Sequence, residues 1–124
     1  MLPKETYKST VTAICDRLSD GTHEGESRSK TRHRLAVKTS IQLRMANGEM
    51  GYSFPAWTDD ISDEGISFLT DREFSPGSIV YVDLQKATSS DTDDPMLAPV
   101  LVIHCEKLTP AIVRVGAKFL FDYE

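Results

Sequence analysis

The sequence predicts a mainly β fold, an antiparallel barrel or sandwich with one short helix ahead of it. Three observations carry this prediction. From residue 35 onward, apolar and polar side chains alternate with the period of two that a half-buried strand requires. Turn-forming residues break that alternation into six short stretches with no helical pattern between them. Apolar spacings of three and four, which place side chains on one helix face, are confined to the first twenty residues. A length of 124 residues suits one core and is too short for two.

Taken in order, Tyr7, Val11, Ile14 and Leu18 recur at helical spacing and predict a helix over residues 5–18, with Gly21 as its stop. Residues 20–30 (DGTHEGESRSK) hold two glycines, several hydroxyls and no apolar side chain, and so form a flexible connection. Val37, Thr39, Ile41, Leu43 and Met45 then alternate with Ala36, Lys38, Ser40, Gln42 and Arg44 as a first strand. Asn47-Gly48 supplies the positive-φ pair of a tight hairpin, and a partner strand should return through Met50, Tyr52 and Phe54. Pro55 cannot donate to a ladder, which implies an edge or a bulge near it. Ile66 and Phe68 end a third, short strand, Ser75-Pro76-Gly77-Ser78 is a turn, and IVYVDL (79–84) is a β-branched fourth strand. After the acidic loop QKATSSDTDDP, VLVIHC (100–105) and IVRVGAKFLF (112–121) complete the six, joined around residues 108–110.

Composition narrows the function. Hydrophobic residues make up 40% and charged residues 27%, with mean hydropathy -0.30, as in globular rather than disordered or membrane chains. No apolar run approaches the roughly 20 residues of a membrane span, and the N-terminal residues lack a secretory apolar core, so a cytoplasmic protein without membrane insertion is expected. Cys15 and Cys105 stand 90 positions apart with no metal-ligand spacing beside either, which predicts buried thiols. Net charge is -5, yet residues 28–44 carry six basic side chains and no acid, whereas residues 45–124 carry fourteen acids against five basic residues. That distribution does not suit a nucleic-acid polymer. It suits either a small anion held by guanidinium groups or a solvated basic linker.

The densest polar stretch within the β pattern is WTDDISDEG, residues 57–65. Its four acids, Asp59, Asp60, Asp63 and Glu64, lack the alternating ligands and late bidentate Glu of a calcium loop, so no metal site is expected. No nucleophile–base pair or phosphate loop occurs, and no catalytic residue is assigned. Trp57 reads as core or edge packing, His104 as a strand residue, and Arg114 and Lys118 as solvent-facing positions that could line a ligand surface. Asp60-x-Ser62-x-x-Gly65 between two strands reads as a turn, with Gly65 able to adopt positive φ.

Three motifs, by their order and spacing along the chain, resemble the PilZ domain, a bacterial receptor module for cyclic diguanylate (c-di-GMP). They are Asp60-x-Ser62-x-x-Gly65 within DISDEGISF, the R-x-x-x-R of Arg28 and Arg32 ahead of the first strand, and SPGSIVYVDL followed by VGAKF. The resemblance covers about residues 28–121. It implies a six-stranded antiparallel β-barrel at 35–124, preceded by an N-terminal helix at 1–20 and a flexible arginine-bearing linker at 21–34. It also implies c-di-GMP as ligand, no other cofactor, and output through an unidentified protein effector. Arg28 and Arg32, with Arg34 assisting, would take the phosphates and guanine O6/N7 edges; Asp60 and Ser62 would take the guanine donors; Gly65 would permit close approach. The linker is expected to order over bound ligand. In one departure from the family pattern, an alternative arginine frame begins at Lys30 and ends at Arg34, replacing a bidentate fork by a point charge. That frame implies a degenerate module that contacts proteins without nucleotide. A second departure is the missing C-terminal helix, whose place over the barrel mouth the N-terminal helix could take.

Overall fold

The alternating stretches fold into strands whose inward residues meet in one core. The computed structural model describes residues 4–19, 32–44, 49–88 and 94–121. Its elements are α1 (Lys4–Ser19), β1 (His33–Arg34), β2 (Lys38–Arg44), β3 (Met50–Ile61), β4 (Gly65–Thr70), β5 (Ile79–Asp83), β6 (Leu97–Thr109) and β7 (Ile112–Phe119), with a 3-10 turn at Gln85–Ala87. Arg28, Lys30, the rest of the linker from 20 to 31, the Asn47-Gly48 turn and residues 89–93 of the acidic loop lie outside the described residues.

Every strand pairing is antiparallel, and the ring β2-β3-β4-β7-β6-β5 closes back onto β2. The fold is therefore a closed six-stranded barrel with one N-terminal helix, which resolves the barrel-or-sandwich choice. Ile41, Ile61, Ile66, Phe68, Val80, Val82, Val100 and Val115 are wholly buried inside it. β1 is the upstream continuation of β2 along the same flank of β3, with His33 opposite Ile61 and Arg34 opposite Asp60.

β3 and β6 run further than their alternation predicts, and bulges explain why. In β3 the register to β4 shifts between Thr58 and Asp60, so Thr58 and Ile61 point inward while Asp59 and Asp60 both point outward. In β6 the shift between Val102 and His104 turns both Ile103 and His104 outward. Pro55 fits because it pairs with Ser40 on β2 and lies just beyond the part of β3 that β4 covers. Trp57 is not core: it is 53% exposed on the outer wall, with the Lys38 ammonium 5.9 Å from its ring.

In this topology β3, β5 and β7 all finish at the same end of the barrel, and α1 packs there. Val11, Ile14 and Cys15 are buried in the shared core beside Leu35, Leu84 and Ala87. Arg17 donates to the Ala87 carbonyl at 2.6 Å, and the Lys8 ammonium stands 5.7 Å from the Phe121 ring. A 16-residue helix is marginal alone in water, and burying each large apolar side chain contributes about 1.5–3 kcal/mol toward holding it. The helix thus covers the barrel end. Cys15 and Cys105 carry thiols rather than a disulfide, the first buried and the second half-buried.

Candidate functional site

Asp60 is the centre of a charge network on the outer wall. Its Oδ1 accepts from Arg32 Nη1 at 2.8 Å and from the Ser67 hydroxyl at 2.7 Å, and its Oδ2 accepts from Arg114 Nη2 at 3.3 Å. Arg114 Nε also donates to Asp59 Oδ2 at 2.9 Å. Because the β3 bulge aims two consecutive carboxylates the same way, one guanidinium on β7 can fork across both. The hydrogen bond to Asp59, followed by the charges of Asp59 and Asp60, raises the Arg114 pKa above its ordinary value against the cost of burial. Arg34 Nη1 stands 3.8 Å from Asp59 Oδ1 and is mostly exposed.

The lead segment is held in place through Thr58. Its hydroxyl accepts from the Val37 N–H at 2.9 Å and donates to the Leu35 carbonyl, while Leu35 N–H donates to the Asp59 carbonyl at 3.0 Å. These bonds clamp residues 35–37 against β3 and deliver Arg32 to Asp60.

The turn between β3 and β4 is built by Ser62. Its Oγ accepts from the N–H groups of Glu64 and Gly65, both at 3.2 Å, and its own N–H donates to the Gly65 carbonyl at 2.8 Å. Ser62 is 4% exposed. Asp60 does not shape this turn, since its carboxylate faces the arginines. Gly65 also differs from expectation: the positive-φ glycine among the described residues is Gly77, whereas at Gly65 a Cβ would come within 2.5 Å of the Ala117 carbonyl oxygen. Glycine there lets β7 approach. On the inner side of the turn the Cys15 thiol meets Asp63; burial first, then the Asp63 charge and hydrogen bond, push its pKa up to about 12.

A cleft of about 460 Å³ opens beside this network, lined by Arg32, Ser62, Glu64, Gly65, Ile103, His104, Gly116, Ala117 and Lys118. That volume is within the usual range of small-ligand sites. The structure thus brings Arg32, Asp60, Ser62 and Gly65 together, with Arg34 at the margin on Asp59; Arg28 lies outside the described residues. Nothing in the sequence assigns carboxylate partners to Arg114 or places His104 at a cleft. No local signal marks Arg114, which alternates along its strand as a solvent residue would. Among the described residues no cluster of three or more His, Cys, Asp or Glu could hold a metal ion, and no helix is long and apolar enough to cross a membrane.

Fold and site together define an antiparallel-barrel module with a polar, partly cationic cleft on its outer wall. The PilZ domain model matches residues 26–123, and the chain belongs to that family, whose members are c-di-GMP receptor modules. Among solved structures, the chain is similar to MrkH of K. pneumonia in its apo state, with TM-score 0.52 and 16% identity over 82% of this chain and 46% of that one. It is also similar to the MrkH–c-di-GMP complex, with TM-score 0.50 and 17% identity over 79% and 45%. The PilZ domain of YcgR from Escherichia coli, solved with c-di-GMP, aligns at TM-score 0.42 and 13% identity over 70% and 77%. The chain spans about half the length of the MrkH structures, and at these identities the likeness is one of fold. A search of curated proteins finds no match.

Proposed function

We propose that this chain is a cytoplasmic, non-enzymatic receptor or adaptor that binds c-di-GMP in the outer-wall cleft and signals to a protein effector. The observation that carries the reading is the 2.8 Å contact between Arg32 and Asp60 at a cleft that also holds Ser62 and Gly65. Two segments 28 residues apart in sequence therefore meet where one ligand could touch both. Family membership supports the ligand's identity, and MrkH, whose fold this chain shares, has been solved in complex with c-di-GMP.

On this reading Arg32 leaves Asp60 when ligand arrives. Its guanidinium, 57% exposed, gives up an ion pair of the kind that contributes about 0–1 kcal/mol and gains a bidentate contact to phosphate or a guanine O6/N7 edge. Asp60, still positioned by Arg114 and Ser67, then has Oδ1 available to a guanine N–H. The segment ahead of β1, with Arg28, orders over the bound ligand and alters the surface offered to the effector, whereas residues 33–34 are already paired with β3. Calorimetric titration with c-di-GMP beside GTP and the adenine analogue tests this. Binding of c-di-GMP alone, weakened by about 1–3 kcal/mol in Arg32→Ala and Asp60→Ala, is expected. Absence of heat at millimolar c-di-GMP would remove the receptor reading.

One observation favours a second reading. Asp60 already has three donors within the chain, a network that a module without nucleotide would also retain. A flat titration together with a stable protein complex in a pull-down would select that protein-interaction module.

A further inference from the structure

We propose that Glu64 is a specificity-determining residue of the cleft, a carboxylate that accepts from the N1–H and N2–H edge of a guanine and turns adenine away. The proposal rests on the nucleotide-receptor reading above and adds how that same site selects its base.

The cleft opens where two neighbouring outward positions on the wall carry glycine. Gly65 begins β4 opposite Lys118, and Gly116 lies on β7 opposite Ser67, so the two stand diagonally across one strand pair. Ala117, next to Gly116, has its side chain in the core and its carbonyl beneath Gly65. The floor is therefore bare backbone, against which a planar base can lie; the exposed His104 ring over Gly116 can rotate aside. At the rim, Glu64 is fixed on both sides. Its N–H donates to Ser62 Oγ at 3.2 Å, and its carbonyl accepts from the Phe119 N–H at 2.9 Å. Its side chain is exposed, and among the described residues its carboxylate takes no hydrogen bond or ion pair. Among the lining residues it is the one carboxylate, set against the cations of Arg32 and Lys118. Asp60, by contrast, has its oxygens turned to Arg32, Ser67 and Arg114.

Chemistry decides what such a carboxylate can recognise. Toward a phosphodiester it is repulsive, so it weakens the hold of the cleft on any bare anion. Toward guanine it is matched. N1–H and N2–H are parallel donors, and the two carboxylate oxygens accept from both, as they do from a guanidinium fork. Adenine presents N1 as a lone pair at the same place, like polarity against like. Hypoxanthine keeps N1–H and lacks the N2 amino group. Glu64 therefore lowers affinity for every cyclic dinucleotide and restores it most fully to the one that carries guanine, which is selection by repulsion as well as by attraction. Because c-di-GMP offers two guanines, a base on Glu64 does not compete with one on Asp60.

The test is calorimetry with c-di-GMP, its hypoxanthine analogue c-di-IMP and its adenine analogue c-di-AMP, at one pH and ionic strength. Wild type, Glu64→Ala, Glu64→Gln and Glu73→Gln are compared; Glu73 is exposed, pairs with Lys107 and lies outside the cleft. In both Glu64 variants the preference for c-di-GMP over c-di-IMP should fall by about tenfold, the scale of one charge-assisted hydrogen bond. That fall has two sources: c-di-GMP binds more weakly, whereas c-di-IMP and c-di-AMP, relieved of the repulsion, bind as well or better. Glu73→Gln should keep the wild-type preference. Glu64 is exposed and its two turn contacts are made by backbone, so both substitutions spare the fold; should the alanine variant unfold, the glutamine variant keeps the size and still lacks the second acceptor. If neither analogue gains on c-di-GMP in the Glu64 variants, or if Glu73→Gln erodes the preference equally, this inference is overturned and the receptor reading stands. Absence of c-di-GMP binding by wild type overturns both.

Discussion

Replacing Thr58 by Val keeps the side-chain shape and removes only the hydroxyl that clamps the lead segment. Thr58 is 5% exposed, so no water stands ready to replace that hydroxyl on the β3 side. The substitution leaves the Val37 N–H without its 2.9 Å acceptor and the Leu35 carbonyl without its donor; the Val37 carbonyl keeps the Thr58 N–H at 2.9 Å. Each buried polar group left unpaired costs about 1–3 kcal/mol. Ala36 between them is exposed, so partial hydration lowers the sum to about 2–3 kcal/mol. For a domain of this size that loss lowers Tm by on the order of 10 °C. Urea unfolding gives the free energy, and an unchanged m-value would show that the unfolded state is unaffected. Because residues 35–37 deliver Arg32 to Asp60, c-di-GMP affinity should also fall, by about tenfold. A stability change below about 0.5 kcal/mol would refute the clamp.

Four other tests follow from contacts and burial described above. Arg114→Met leaves the adjacent carboxylates of Asp59 and Asp60 without their shared guanidinium and should cost about 1–2 kcal/mol, a deficit that shrinks in high salt as their repulsion is screened; urea melts at two ionic strengths check it. Gly65→Ala places a methyl 2.5 Å from the Ala117 carbonyl oxygen, a backbone atom, and should cost about 2 kcal/mol or more in a thermal melt; a variant as stable as wild type would contradict the close approach. The Cys15 thiol, pushed from 9.0 up to about 12, keeps its proton in the folded state where the unfolded chain loses it. Stability should therefore be insensitive to this group below pH 9 and decline above it, by at most about 1.4 kcal/mol per pH unit, with the slope absent in Cys15→Ala. In native protein at pH 8, Cys105 should be alkylated well before Cys15.

Much of the fold is legible because alternation needs no tertiary information. Ile41 is buried at the position its alternation predicts, the buried Val80, Val82, Val100 and Val102 lie in stretches expected to be strands, and Val11 and Ile14 are the buried face of the expected helix. The strand limits were hidden where a bulge breaks the alternation. Residues 58–61 run in, out, out, in, a pattern that a sequence shares with a loop. The motif singled out Arg32, Asp60, Ser62 and Gly65, which lie close together in the fold, but not the contacts that put them there. Gly65 is required by the Ala117 carbonyl, a partner 52 residues away, and Asp60 by Ser67 and Arg114 across two strands. Arg114 could be found only after the β3–β4–β7 register was known, since nothing adjacent to it in sequence is acidic. His104 needed the same knowledge, because its setting depends on Gly116 on the next strand.

The two offset residues in β3 and β6 separate what the wall needs to close from what it presents on its outer face. Excising Asp59 would let Thr58, Asp60 and Ile61 resume simple alternation, with every inward position still occupied by the same side chain. Such a one-codon deletion would yield a container of unchanged filling whose outer carboxylate pair no longer exists. Such a chain would keep Asp60 on Ser67 and Arg114 but lose the carbonyl that receives the Leu35 N–H, so one codon separates the filling of the container from the fastening of its lead segment.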